Sequence, residues 1–299
     1  MRGMCLCCIA LALVVSGCAT GAEITLCNWN VQNLFDSYDD PYHNDVDWDG
    51  DLQVKAEEEV TAIAKVLADI DADIVALQEI ENRGVLESLV RNHLAESGYA
   101  VSLIEGNDGR GIDVAVLSKL PIDSSTSYRH RVFKTSAGDE ERFSRDILRA
   151  VLRLPDGRKL SLYTCHLKSR SGGDASTRKR QAEASELRRI VDQDMAEGDL
   201  VVVCGDLNDD VASGTPTIVA GPEGSAKHLW PVPAKSSKDS DITWHGRYAS
   251  RYPPIRFDYV FLSPALREMY VKGSGVVYTK EPAEVAADHY PVVVRFKVK

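Results

Sequence analysis

From residue 24 onward the apolar positions follow two periods. Short runs rich in Val, Ile, Leu and aromatic residues occur at 24–30, 73–79, 112–118, 147–154, 159–166, 200–206, 256–262 and 290–297, and their lengths predict strands. Between some of them the spacing lengthens to that of a helix. Residues 56–70 put Val60, Ile63, Ala64, Leu67 and Ile70 on one face, and open on Glu57, Glu58 and Glu59, which suit the positive end of a helix dipole. Residues 84–97 repeat the pattern with Val85, Leu86, Leu89, Val90 and Leu94 and stop at Gly98. Residues 176–197 read as a charged helix with Leu187, Ile190 and Val191 turned inward. The runs 147–154 and 159–166 are joined by Pro155-Asp156-Gly157-Arg158, a hairpin signal. No linker, repeat or low-complexity tract follows residue 23. Strands in mixed or antiparallel sheets with helices packed outside predict one α/β layered domain over residues 24–299.

The ends of the strands carry the chemistry. Cys27-Asn28-Trp29-Asn30-Val31-Gln32-Asn33, Leu77-Gln78-Glu79, His166-Leu167-Lys168-Ser169, Gly205-Asp206-Leu207-Asn208-Asp209, Phe257-Asp258-Tyr259 and Asp288-His289-Tyr290-Pro291 each place a carboxylate, carboxamide or imidazole at or beside a strand terminus. A single polar residue there is explained as a cap or turn. Six such endings are not, because an unpaired buried charge is costly. They predict one site assembled where strands converge. Oxygen donors from Asp, Glu and Asn suit a hard cation such as Mg²⁺ or Mn²⁺, and two histidines suit proton transfer or a positive partner. Neither a GxSxG elbow nor an HExxH pair nor a Walker loop is present, so serine-hydrolase, zincin and P-loop chemistries lack their signatures.

Composition changes the picture in two places. A net charge of −10 disfavours passive, sequence-independent adhesion to nucleic acid, which needs cations to displace counterions. It does not exclude an enzyme whose metal faces a phosphate. The chain begins with Arg2 and the apolar run Ile9 to Val15, which is too short to span a bilayer and reads as an export signal over 1–17. Val15-Ser16-Gly17-Cys18 is similar to the lipobox of bacterial lipoproteins. It predicts cleavage before Cys18, lipidation of that cysteine, a tether over 18–23 and an envelope-anchored or secreted location. Cys27, Cys165 and Cys204 lie in apolar runs and read as small hydrophobes, not as a disulfide framework.

Seven aspartates fall between Asp36 and Asp51, and Asp45-Val46-Asp47-Trp48-Asp49-Gly50-Asp51 opens like an EF-hand loop. The twelfth position of such a loop should be glutamate and here is Ala56, which argues against an EF-hand. The loop borders the predicted cleft and remains a candidate holder of an auxiliary Ca²⁺.

The ordered set of strand endings, from the Asn30 segment to Asp288-His289, resembles the motifs of the endonuclease/exonuclease/phosphatase superfamily of metal-dependent phosphoesterases, and does so over residues 24–297. That resemblance implies a four-layer α/β/β/α sandwich of two packed mixed sheets with helices outside. It implies Glu79 as the principal metal ligand, with Asn30 and Asp288 near the metal; Gln32 stands where relatives often carry Asp or Asn. It implies His166 as a stabiliser or proton donor at the scissile phosphate and Asp206 as the group that orients or deprotonates water. Asn208 would hold a phosphate oxygen, and Asp258 would pair with His289, which contacts the phosphate. Lys168, Arg110 and Arg145 are candidate substrate contacts, as are Arg170, Arg178, Lys179 and Arg180 if they do not form a solvated face. Trp244 and His245 either stack on a base or pack. The expectation is a monomeric phosphodiesterase acting on DNA or RNA with Mg²⁺ or Mn²⁺. The alternatives are a phosphatase or sphingomyelinase-like lipid phosphodiesterase on the same scaffold, and a non-catalytic surface-binding lipoprotein.

Overall fold

The computed structural model describes residues 21–298 apart from 39, 41, 45–50, 52, 197 and 247–252. The segment expected to be an export signal, Cys18 and the centre of the acidic loop lie outside the described residues. No helix among the described residues is long and apolar enough to cross a membrane.

Strand β1 (Ala22–Leu34) leads to helix α1 (Glu57–Ile70), β2 (Ile74–Ile80) and α2 (Arg83–His93). Next come β3 (Ala100–Leu103), β4 (Asp113–Ser118), β5 (Ile122–Ser127), β6 (Phe133–Lys134) and β7 (Glu140–Glu141). The second half runs β8 (Ile147–Arg153), β9 (Lys159–His166), α3 (Gly173–Asp194), β10 (Leu200–Asp206) and α4 (Thr215–Ala220). It closes with β11 (Trp230–Pro231), β12 (Asp258–Leu262), α5 (Pro264–Arg267), β13 (Val276–Val277), α6 (Glu281–Ala286) and β14 (Val292–Val298).

Two six-stranded sheets result, ordered β13-β14-β1-β2-β4-β3 and β11-β12-β10-β9-β8-β5. Each has one parallel pair at its centre, β1 with β2 and β9 with β10, and antiparallel neighbours around it. The Pro155–Arg158 turn does join an antiparallel pair, β8 and β9. Strand alternation sorts the side chains into layers. Ile24 and Leu26 of β1 meet Leu160, Leu162, Val202 and Val260 between the sheets, while Cys27, Trp29 and Val31 face α1 and α6. On the far side, Tyr163, Cys165, Val201 and Val203 pack beneath Leu187, Ile190 and Val191 of α3. This is the four-layer sandwich expected from the resemblance. Cys27, Cys165 and Cys204 are free thiols buried among these apolar side chains.

The inner layer changes character along the strands. Positions that continue the inward set of β1, β2, β9, β10 and β12 are Asn28, Asn30, Gln78, Thr164, His166, Asp206 and Asp258, all buried. An apolar side chain buried there would stabilise the fold by about 1.5–3 kcal/mol. Polar groups forgo that and must find partners. Gln78 shows how they are satisfied: its Nε2 donates to Asn28 Oδ1 (3.0 Å) within its own sheet and to Thr164 Oγ1 (3.1 Å) across the gap. One end of the sandwich is therefore a polar floor reached by strands from both sheets.

Candidate active site

Register decides which groups meet. Asp206 lies level with His166 on one side and Asp258 on the other, so three adjacent strands of the second sheet end in titratable side chains at one height. Gly205 allows the close approach: its φ is +150°, and a Cβ would fall 2.0 Å from the Cys165 carbonyl oxygen. From the first sheet, Asn30 lies level with Gln78. Gln32, Asn33 and Glu79 then take positive φ values of 54°, 51° and 65°, conformations that cost non-glycine residues about 1–3 kcal/mol each. The surroundings hold them. Lys55 Nζ donates to the carbonyls of Val31 (3.0 Å) and Gln32 (2.6 Å), and the Asn33 N–H donates to Glu79 Oε2 (2.9 Å). Asn30 Nδ2 donates to Glu79 Oε1 (3.1 Å) and to Asp206 Oδ2 (3.0 Å), so one amide ties the carboxylates of the two sheets together.

The two histidines are electrostatically opposite. His289 Nδ1 lies 2.8 Å from Asp258 Oδ2, and its Nε2 faces Asp206 Oδ2 at 3.8 Å and Asp288 Oδ1 at 4.0 Å. Burial disfavours its cation, but Asp258 and Asp206 outweigh burial and raise its pKa to about 10. His166 is shifted the other way. Burial first, then the positive charges of Arg145, His289 and Arg110, hold its pKa well below the usual value, so it is neutral. Its Nε2 lies 3.5 Å from Asp206 Oδ2 and 3.8 Å from Glu79 Oε1. Burial lifts Asp206 to about 7, with Asp258 adding to the rise and His289 opposing it. The Asn208 N–H donates to Asp206 Oδ1 (2.7 Å), and Asn208 Nδ2 donates to the Leu167 carbonyl (3.1 Å).

These groups floor a cavity of about 600 Å³ with a mixed lining. Trp244, Pro253, Ile255 and Phe257 contribute apolar surface and Arg110, Arg145, Lys168 and Arg170 contribute cations, the Arg170 guanidinium lying over the Phe257 ring at 5.2 Å. Arg145 is buried, ion-paired to Asp108 (2.9 Å), and donates to the Leu167 carbonyl (3.2 Å), while Arg110 pairs with the same aspartate (3.2 Å). Beside them Asp113 Oδ1 accepts the Gly106 N–H at 2.6 Å, and burial pushes its pKa from 3.8 to about 8. A carboxyl raised by folding stabilises fully below pH 4 and loses that contribution as pH climbs toward 8. Asp113→Asn keeps the acceptor without the charge. Its melting temperature should match wild type near pH 4 and exceed it increasingly up to pH 8; a pH-independent difference in thermal unfolding would refute this account.

The structure brings Asn30, Glu79, His166, Asp206, Asn208, Asp258, Asp288 and His289 together, and places Arg110, Arg145 and Lys168 on the cavity wall. Arg180 is not at the cavity: it is buried, bound to Asp209 (3.0 Å) and to the carbonyls of Lys168 and Ser169. Lys179 pairs with Glu141 (2.8 Å). Arg170 does border the cavity, but is tied to Asp209 and Asp210 (2.9 Å each). Nothing in the chain marks Lys55 or Asp108: Lys55 reaches back to the carbonyls of Val31 and Gln32, and Asp108 binds Arg145 as well as its near neighbour Arg110.

Among the described residues no three His, Cys, Asp or Glu side chains converge as a metal cage. A hard cation does not need one, since Mg²⁺ takes one or two carboxylates and keeps waters and phosphate oxygens. Glu79 would supply the carboxylate. Among the described residues, the buried oxygens Gln32 Oε1 and Asn33 Oδ1 have no hydrogen-bond partner, and both residues line the cavity with Glu79. Orphaned acceptors beside a carboxylate fit a hard divalent cation. Asn30 Oδ1, by contrast, already accepts the Gln32 N–H (2.9 Å).

The sequence pattern of the Endonuclease/Exonuclease/phosphatase family matches residues 25–229. Among curated proteins, an inositol phosphosphingolipids phospholipase C of Schizosaccharomyces pombe is 24% identical over 281 residues, covering 81% of this chain. The chain spans 64% of that relative's length. Among solved structures, D. rerio TDP2 complexed with single-strand DNA product superposes with a TM-score of 0.63 at 17% identity, covering 93% of this chain and 100% of that one. The human Nocturnin catalytic domain with bound sulfate gives 0.63 at 18%, covering 93% and 95%. At these identities the two structures show the shared fold.

Proposed function

Because the chain belongs to the endonuclease/exonuclease/phosphatase family, whose members hydrolyse phosphoester bonds, we propose that it is a Mg²⁺- or Mn²⁺-dependent phosphodiesterase acting on nucleic acid. The observation that carries this reading is the convergence on one cavity floor of Glu79, Asp206 and His289, with Asn30 bridging the two carboxylates and His289 Nε2 facing Asp206 Oδ2 at 3.8 Å. A water placed against Asp206 meets a base whose pKa of about 7 suits proton removal at neutral pH. The imidazolium of His289 faces the same space and would hold a non-bridging phosphate oxygen. Neutral His166 donates one N–H without adding charge. Glu79, with Gln32 and Asn33, would hold the cation, which neutralises charge developing on the phosphoryl and leaving oxygens.

A lining that mixes cations with aromatic rings favours a nucleic acid. Phosphates suit Arg110, Arg145 and Lys168, and a base suits the aromatic surface of Trp244 and Phe257. The TDP2 complex with DNA supports this choice, and the S. pombe phospholipase supports a lipid phosphodiester as the second reading. A panel of plasmid DNA, RNA, sphingomyelin vesicles and inositol phosphates, each with Mg²⁺ or Mn²⁺, separates them. Nucleic acid should be cleaved, and Lys168→Ala should weaken that cleavage chiefly through KM. Turnover confined to the lipid would replace the nuclease reading; no turnover even of bis-p-nitrophenyl phosphate would leave a binding protein.

A further inference from the structure

Asp288 and Asp258 reach the site from different sheets, and the short segment Thr243–His245 is bonded to both. Trp244 exchanges backbone hydrogen bonds with Ile255 (2.8 and 2.9 Å), while the His245 N–H donates to the Asp288 carbonyl (3.0 Å) and the Tyr290 N–H to the Thr243 carbonyl (2.7 Å). Thr243 is fully buried, and its Oγ1 accepts the N–H groups of both Phe257 and Asp258 (3.0 Å each). The indole of Trp244 lies tilted on the Phe257 ring, with centroids 5.6 Å apart, and its Nε1–H donates to Asp288 Oδ2 at 3.0 Å. Among the described residues no other group donates a hydrogen bond to that carboxylate.

We propose that Trp244 is a positioning residue of this site, its indole N–H clamping the Asp288 carboxylate so that it does not close onto His289. Packing on Phe257 needs only an aromatic ring, so the N–H is left for the carboxylate to explain. The clamp is needed because Asp288 Oδ1 stands 4.0 Å from His289 Nε2, the nitrogen that faces the open cavity. Opposite charges at that distance attract, and an unclamped carboxylate would turn to make a direct ion pair. That pair would occupy the imidazolium otherwise free for phosphate. The indole thus keeps apart two groups that adjacent sequence positions force to be neighbours.

This inference rests on the phosphodiesterase reading, and Trp244→Phe tests it because the ring stays and only the donor goes. With bis-p-nitrophenyl phosphate and Mg²⁺, kcat should fall about 10- to 100-fold, the usual cost of losing an outer hydrogen-bond partner, with KM within about twofold of wild type. In an Asp288→Asn background the same substitution should cost less than about twofold, since there is no charge left to restrain. A merely structural tryptophan would give the same penalty in both backgrounds. An independent readout needs neither metal nor turnover. The chain has four tryptophans, and Trp244→Phe identifies its indole N–H signal in a ¹⁵N–¹H spectrum; Asp288→Asn should move that signal. Unchanged kcat in Trp244→Phe, equal penalties in the two backgrounds, or an indole signal indifferent to Asp288→Asn would each overturn the clamp. If wild type turns over no phosphodiester, the functional reading fails, while the indole signal still decides whether the clamp exists.

Discussion

Glu79→Gln lowers metal-dependent phosphodiester turnover by about 10³-fold, a loss of roughly 4 kcal/mol of transition-state stabilisation, and leaves the fold intact. The side chain keeps its size, but half of its acceptor capacity becomes a donor. One of its two present donors, the Asn33 N–H at 2.9 Å or Asn30 Nδ2 at 3.1 Å, would then face another N–H. More important, the full negative charge beside the orphaned oxygens of Gln32 and Asn33 disappears. Two measurements separate catalysis from folding. In wild type, Mg²⁺ should raise the melting temperature, because a ligand that binds only the folded state stabilises it; Glu79→Gln should lose that increment. Without metal the variant should melt close to wild type, since the lost hydrogen bond and the relief of repulsion with Asp206, Asp258 and Asp288 oppose each other. Retention of the Mg²⁺ increment, or kcat within tenfold of wild type, would remove Glu79 from the centre of the site.

Much of this arrangement was legible in the chain. Strand positions fell within a few residues of the apolar runs because the buried strands read as near-continuous Val, Ile and Leu segments. The runs 159–166 and 200–206 match β9 and β10 outright. The polar endings were visible for the same reason, as interruptions of a pattern that burial otherwise enforces. Edges were less readable. Helix α3 covers Gly173–Asp194 and not 176–197, and α2 stops at His93 before a separate turn at Ala95–Ser97. The edge strand β5, Ile122–Ser127, was missed because Asp-Ser-Ser-Thr-Ser carries no apolar signal; its backbone pairing with β8 alone makes it a strand.

What the sequence withheld was contact across sheets. Nothing in the spacing of Asn30 and Asp206, 176 residues apart, announces that one amide bridges Glu79 and Asp206. Lys55 lies between an acidic loop and a helix start and looks solvated, yet it is buried against the carbonyls of Val31 and Gln32. Arg180 misled in the other direction. It sits in a basic cluster that resembled a phosphate-binding face, while its guanidinium is consumed by buried Asp209. Charge runs report composition, and only the fold decides which cations keep an open face.

Asp258→Asn should cost nearly as much as losing His289 itself, about 10³- to 10⁴-fold in kcat, although Asp258 is fully buried and touches no substrate. Its Oδ2 holds His289 Nδ1 at 2.8 Å, and its own N–H is fixed by Thr243. It leads the carboxylates that offset burial and hold the His289 pKa near 10. With asparagine in its place, burial is opposed only by the remaining partners Asp206 and Asp288, so the imidazole should titrate lower than in wild type. An amide N–H turned toward Nδ1 would also favour the wrong tautomer. NMR titration of His289 checks the first consequence directly. Kinetics check the second: because the two residues act as one unit, Asp258→Asn combined with His289→Ala should be no worse than His289→Ala alone. Multiplicative losses would mean that Asp258 works on the reaction by another route. A folded His289→Ala protein with near-normal turnover would mean that this imidazolium does not meet the phosphate at all.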